Sequence, residues 1–197
     1  AGSVVEMPWI KKAKAVLHGY LGGQAGASAM LDVITGKVNP SGKLNETYPI
    51  CYEDTPTYAY YPGKERNSEY REGVYVGYRY YDTIKKEVLF PFGFGLSYTD
   101  FSYSNLKLSE NGVRFCITNV GKIAGAEIAQ LYIEKENPVV FRPVHELKGF
   151  CKLFLQPGET REVEIPFENR TFKYFNVQTG NWETEEGNYK IMIAKNS

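Results

Sequence analysis

SENGVRFCITNVGKIAGAEIAQLYIE, residues 109–134, decides the fold class of the second half of this chain. Glu110-Asn111-Gly112 carries Asn-Gly, the strongest short-range signal for a hairpin turn. Beyond it Val113, Phe115 and Ile117 alternate with Arg114, Cys116 and Thr118. Period two puts one set on each face of a strand. NVGKIAG, residues 119–125, supplies the next turn. In the following run Ile128, Gln130 and Tyr132 share one face, and Ala129, Leu131 and Ile133 share the other.

The same texture extends on both sides. Tyr103–Ser109 predicts the strand before the hairpin. HELKGFCKLFL, 145–155, predicts another, closed by the Pro-Gly turn of QPGET. Val163, Ile165 and Phe167 alternate against Glu162, Glu164 and Pro166, a Thr-Gly turn at 179–180 precedes Asn181-Trp182, and Tyr189, Ile191 and Ile193 close the set. About seven short strands with regular turns predict an all-β immunoglobulin-like sandwich over 101–197. The lack of a Cys…Trp…Cys pattern favours the fibronectin type III-like variety.

Residues 1–50 have a different pattern. KAKAVLHGYLGGQAG, 12–26, reads as a short strand, Ala15–Leu17, entering a glycine-rich turn. Ala27, Met30, Leu31 and Ile34 then fall at i, i+3, i+4 and i+7, one apolar helical stripe, and Gly36 stands where a left-handed residue ends a helix. VVEMPW, 4–9, reads as a second strand end leading into a helix with Pro8 in its first turn. Two such units cannot cover both faces of an α/β sheet. The expectation is a partial α/β segment whose other strands lie outside the chain. Its apolar faces would then be exposed, making it protease-sensitive, dimerised or swapped between copies.

Residues 51–100 form an aromatic, glycine-rich linker that proline and glycine interrupt repeatedly. Within it Val74, Val76 and Tyr78 predict a short strand over 72–79. Its tyrosines suit either gluing the linker to its neighbours or stacking on sugar rings. PFGFGLSYTDF, 91–101, has the glycines of a phosphate loop but no Lys-Ser/Thr and no helix after it. It reads as a crossing segment anchored by Phe92, Phe94, Leu96 and Tyr98.

Charge and chemistry exclude several classes. Of the 197 residues, Lys plus Arg and Asp plus Glu each number 23, which leaves no electrostatic attraction for nucleic acid or anionic membrane. No apolar run approaches a membrane span, and AGSVVEMPWIKKAK lacks the order of a signal peptide. Cys51, Cys116 and Cys151, odd in number and without CxxC spacing, read as reduced thiols and point to the cytoplasm; a secreted protein stays open, since the sequence need not begin at the true N-terminus. GYLGGQAG lacks GxGxxG spacing, and GKVNPSGKL has Leu44 where a P-loop needs Ser or Thr, so neither binds a nucleotide. His18 and His145 lie too far apart, without Cys or Asp clusters, to make a metal site. GxSxG is absent. Paired carboxylates remain: Glu69 with Glu72, or Glu183, Glu185 and Glu186, which read chiefly as solvated loop residues.

Taken jointly, these motifs resemble glycoside hydrolase family 3, the β-glucosidase family. GSVVEMPW and GYLGGQAGASAMLDVITGKVNPSGKLNETYP, 2–9 and 19–49, are similar to the end of that family's (α/β)6-sandwich domain. EYREGVYVGYRYYD and LFPFGFGLSYTDF, 69–82 and 89–101, are similar to the segment leaving it. TNVGKIAGAEIAQLYI, RPVHELKGFCKLFLQPGET and NWETEEGNYKIMI resemble its fibronectin type III-like domain. The resemblance implies retaining hydrolysis of terminal β-D-glucosidic bonds by two carboxylates. The family's nucleophile lies on a barrel domain, and its acid/base lies upstream of EMPW. No residue here matches either motif, so the resemblance implies no catalytic residue, no cofactor and no metal in this chain, and leaves its substrate-binding residues unassigned. It implies as partners the catalytic barrel, before or after this segment, the rest of the α/β sandwich, and a β-glucoside or oligosaccharide. The alternative is a free-standing carbohydrate-binding or scaffold module.

Overall fold

Alternation and turn chemistry produce the expected sandwich over the last hundred residues. The computed structural model describes residues 2–63 and 66–197. Its strands there are β3 (Phe101–Ser109), β4 (Gly112–Asn119), β5 (Gly125–Lys135), β6 (Glu146–Leu155), β7 (Thr160–Pro166), β8 (Lys173–Asn176), β9 (Asn181–Thr184) and β10 (Tyr189–Ala194). One antiparallel sheet has the order β10-β5-β6 and the other β3-β4-β7. Asn111-Gly112 turns β3 into β4, with Ser109 opposite Gly112. The core between the sheets holds Phe115 and Ile117 from one alternating face of β4, Leu131 and Ile133 from one face of β5, and Leu155 and Ile165. Residues 173–184 form a separate hairpin, β8–β9, around Thr179-Gly180. Gly180 has φ +68, which a side chain would resist.

Strand β5 is buried on both faces. Ala129, Leu131 and Ile133 meet the opposite sheet, while Gln130 and Tyr132 are buried under the linker. Tyr78 packs edge-on against Tyr132, and Tyr132 Oη donates to Gln130 Oε1 at 2.6 Å. Gly93, with φ +82, sits so close to Gln130 that a Cβ would lie 2.3 Å from its Nε2.

In the first fifty residues the helical stripe is realised as α1, Gly26–Ile34, and Gly36 takes φ +75 just past its end. No residue of α1 is buried; Leu31 and Ile34 of the apolar stripe are 58% and 67% exposed. Two expectations need correction here. Ala15–Leu17 is not a strand, because no described segment pairs with it. VVEMPW forms no strand either, and Pro8 leads only into a single 3₁₀ turn at Ile10–Lys12. A strand is defined by its neighbour's hydrogen bonds, and a helix is not; the helix therefore forms without a partner.

The linker departs further from its reading. Residues 72–79 are not a strand. Val74 and Val76 are exposed, and the chain turns into α2, Tyr78–Thr83, whose Tyr78 and Tyr81 are buried at spacing i, i+3. Tertiary burial of two tyrosines on one helical face outweighs the alternation. Strands β1 (Tyr48–Pro49) and β2 (Val88–Phe90) pair antiparallel and tie the first segment to the linker. In the crossing segment Phe92 packs on Tyr78 and Phe94 on Phe90, at 5.0 and 5.1 Å between ring centres. Tyr98 anchors through its hydroxyl, which donates to Val33 O at 2.7 Å. Leu96 does not anchor: it is 75% exposed.

Candidate functional site

The segment NPSGKL, residues 39–44, is where the three parts of the chain meet. It is irregular backbone, and its polar side chains bond to the other two parts. Asn39 Nδ2 donates to Ala124 O at 3.0 Å in the sandwich, while its Oδ1 accepts from Ser97 Oγ and Tyr98 N at 3.0 and 2.8 Å. Asn39 thus bonds to the sandwich and to the crossing segment at once. The approach is close: a Cβ on Gly125 would lie 2.5 Å from Asn39 Nδ2, and one on Gly95 would lie 2.5 Å from Gly42 O. Backbone bonds reinforce it, Leu44 N donating to Phe94 O and Gly93 N to Leu44 O.

Beside this segment lies a buried ion pair. Lys43 Nζ stands 3.5 Å from Glu127 Oε1 and donates to Gly95 O at 3.0 Å. Tyr103 Oη donates to the same Glu127 oxygen at 3.1 Å. Burial, with the Glu127 charge second, pushes the Tyr103 phenol far above its ordinary value, so it serves only as a hydrogen-bond donor here. A cavity of about 190 Å³ borders the pair and is also lined by Lys195, whose Nζ donates to Phe101 O at 3.0 Å. Under the same crossing, Asn119 is fully buried and makes four side-chain bonds. It accepts from Thr99 Oγ1 and Gly121 N at 2.7 and 3.1 Å, and donates to Ile123 O and Leu155 O at 2.8 and 3.1 Å.

The residues weighed for chemistry are placed apart from this junction. His18 Nε2 lies 3.1 Å from Tyr48 Oη, within an edge-on cluster with Tyr20. His145 Nδ1 lies 3.1 Å from Asp82 Oδ2, where the sandwich meets α2, so an Asp does accompany this histidine. Among the described residues no group of three His, Cys, Asp or Glu is placed to hold a metal ion. Glu69 pairs with Arg71 and lines a cleft together with Glu72. Glu183 accepts from Asn176 Nδ2, Thr179 Oγ1 and Tyr174 Oη at 2.9, 2.5 and 3.3 Å. These bonds, Asn176 first, hold its carboxyl below the usual range, so it pins the β8–β9 turn as an anion. Glu185 Oε1 accepts from Val139 N, and Glu186 is exposed. The Cys51, Cys116 and Cys151 thiols are free. A hydrogen bond with Asp54 raises Cys51, and burial raises Cys151, which disfavours thiolate chemistry at both.

The His145–Asp82 contact makes the linker junction pH-dependent. The Asp82 hydrogen bond raises the His145 pKa, Asp82 and Glu134 charges add to this, and burial and Lys190 oppose it; Tyr132 packs on the ring's other side. A folded pKa above the unfolded value of ~6.5 stabilises the fold fully below that value, and the contribution fades as pH rises through the folded pKa. His145→Gln is therefore expected to lower the thermal midpoint at pH ~5.5 and to have a smaller effect at pH ~8.5. An equal effect at both would show that the pair is not ionic.

The fold is a fibronectin-like sandwich to which a helical first segment is locked through residues 39–44 and an aromatic crossing. Comparisons narrow the class. Residues 1–98 match the glycosyl hydrolase family 3 C-terminal domain, and residues 127–197 match the fibronectin type III-like domain. Thermostable β-glucosidase B of Acetivibrio thermocellus is 50% identical over 204 residues, covering 100% of this chain and 27% of that protein. An exo-α-(1→6)-L-arabinopyranosidase of Bifidobacterium breve is 42% identical, with 100% and 27% covered. Among solved structures, a family 3 β-glucosidase of Bifidobacterium adolescentis superposes with a TM-score of 0.93 at 43% identity, covering 99% of this chain and 30% of that one. The β-glucosidase of Kluyveromyces marxianus, in complex with glucose, gives 0.94 at 38% identity, with 100% and 24% covered. The chain belongs to glycoside hydrolase family 3, as a C-terminal portion, and spans about a quarter of the length of these relatives.

The junction residues Asn39, Lys43, Thr99, Asn119 and Glu127 escaped sequence reading. Nothing in NPSGKL named a partner 85 residues away.

Proposed function

We propose that this chain is the structural C-terminal portion of a retaining β-glucosidase-type enzyme that hydrolyses terminal β-D-glucosidic bonds. In this reading residues 1–50 complete an α/β sandwich, 51–100 form an ordered linker, and 101–197 brace the assembly. The carrying observation is that relatives matched over the whole chain devote only about a quarter of their length to it. A free-standing module is not favoured for the same reason. The naked apolar stripe of α1 supports it, since such a face needs covering polypeptide. The carboxylate nucleophile and acid/base then belong to the absent portion, and no carboxylate of this chain is assigned to either role. Sugar choice belongs there too, as relatives named for glucosides and for arabinopyranosides share this segment. The neutral charge balance supports a partner list without nucleic acid. Among the described residues no helix is long and apolar enough to cross a membrane. The free thiols support a cytoplasmic setting, and in isolation the α1 face supports self-association.

The test is complementation. The Acetivibrio thermocellus enzyme, truncated before the matching segment, is co-expressed with this chain and assayed on an aryl β-glucoside. Turnover is expected only with both pieces. Turnover by the 197-residue chain alone, or none from a co-purifying complex, would reject the assignment.

A further inference from the structure

A second cavity lies wholly within the linker, away from the junction. It has a volume of about 110 Å³ and is lined by Tyr60, Tyr61, Tyr70, Glu69 and Glu72, with the hydroxyl residues Thr57 and Ser68. Tyr61 and Tyr70 are 63% and 87% exposed, so two aromatic rings stand open at its edge. Tyr60 is backed by the Arg71 guanidinium, 5.4 Å from its ring centre, and Arg71 is itself held by Glu69. Among the described residues the wall therefore combines apolar ring faces, hydroxyls and two carboxylates with one engaged cation. An anionic ligand is disfavoured by that charge. A large apolar ligand is disfavoured by the volume, since drug-sized molecules occupy ~300–1,000 Å³. A pyranose ring meets these conditions by lying on the open rim, its C–H face against the exposed tyrosines and its hydroxyls donating to the carboxylates below.

We infer that this tyrosine-lined cleft is an outer sugar site that takes one terminal pyranose ring. The inference rests on the β-glucosidic reading above for its choice of sugar, and not for its existence. It binds without turnover: stacking holds the ring while Glu69 and Glu72 accept from its hydroxyls.

The experiment uses the 197-residue chain with ¹³C-labelled tyrosine rings, titrated with methyl β-D-glucopyranoside and followed by NMR. Saturable shifts of Tyr61 and Tyr70 are expected, with a Kd on the order of 10 mM. Tyr60→Ala and Tyr70→Ala should each weaken binding about threefold to tenfold. Trp182→Ala, in the β8–β9 hairpin, should leave it unchanged. Unaltered sandwich amide spectra in each variant exclude unfolding as the cause. Shifts that fail to saturate, that glycerol reproduces, or that choline elicits at lower concentration than the glucoside would overturn the sugar site. So would shifts at Tyr61 and Tyr70 caused only by docking of the catalytic portion. Because the readout is binding, a failed complementation assay leaves it intact, and a successful one does not establish it.

Discussion

Replacing Asn119 with alanine is expected to destabilise the sandwich by about 3–5 kcal/mol. Its side chain is fully buried and holds four bonds, so truncation strands Thr99 Oγ1, Gly121 N, Ile123 O and Leu155 O. Each buried group left unpaired costs about 1–3 kcal/mol, partly relieved where another partner or water reaches it. The backbone of Asn119 also pairs with Glu159 O and Gly158 N, so the residue fastens the end of β4 to the turn before β7. For a domain of about a hundred residues that loss lowers the melting midpoint by roughly 12 °C or more. Asn119→Asp keeps the shape and should also fail, because it loses both donors and buries a charge. Urea unfolding measures both. A change under 1 kcal/mol for Asn119→Ala would mean that water replaces the side chain and that the network is dispensable.

The second large effect concerns Lys43 and Glu127. Lys43→Met removes the cation 3.5 Å from a carboxylate that is 2% exposed, leaving only Tyr103 Oη as donor to that oxygen. Breaking one side of a buried pair costs about 3–5 kcal/mol, whereas replacing both partners by apolar groups is often near neutral. Lys43→Met is thus expected to be severe and Lys43→Met/Glu127→Leu mild, with a coupling of at least ~2 kcal/mol. Hydrogen exchange should speed up at residues 93–97 in the single variant, because Lys43 also holds Gly95 O. Additive effects would show that the two residues act independently.

These two sites explain why the fragment holds together although its helical face is bare. The first segment is fastened to the sandwich by polar bonds from residues 39–44 rather than by a shared apolar core. Asn39 and Lys43 need exact partners in Ala124, Ser97 and Glu127. Such bonds position a segment well but bury little apolar area.

Where the amino-acid pattern carries its own partner, reading it was sufficient. The stripe of Ala27, Met30, Leu31 and Ile34 and the stop at Gly36 define α1, since helical bonds are local. Val113, Phe115 and Ile117 define a core face because period two is imposed by the pleat, and Asn111-Gly112 defines its register. Tertiary structure decided the rest. Whether Ala15–Leu17 becomes a strand depends on a neighbour, and so does whether Val74, Val76 and Tyr78 alternate in a sheet or turn into α2. That Gln130 and Tyr132, on the nominally outer face of β5, are buried depends on the linker lying across them. Asn39, Lys43, Asn119 and Glu127 acquire their roles only when distant segments meet. A side chain's hydrogen-bonding capacity is written in its identity, whereas its partner is set by the path of the whole chain.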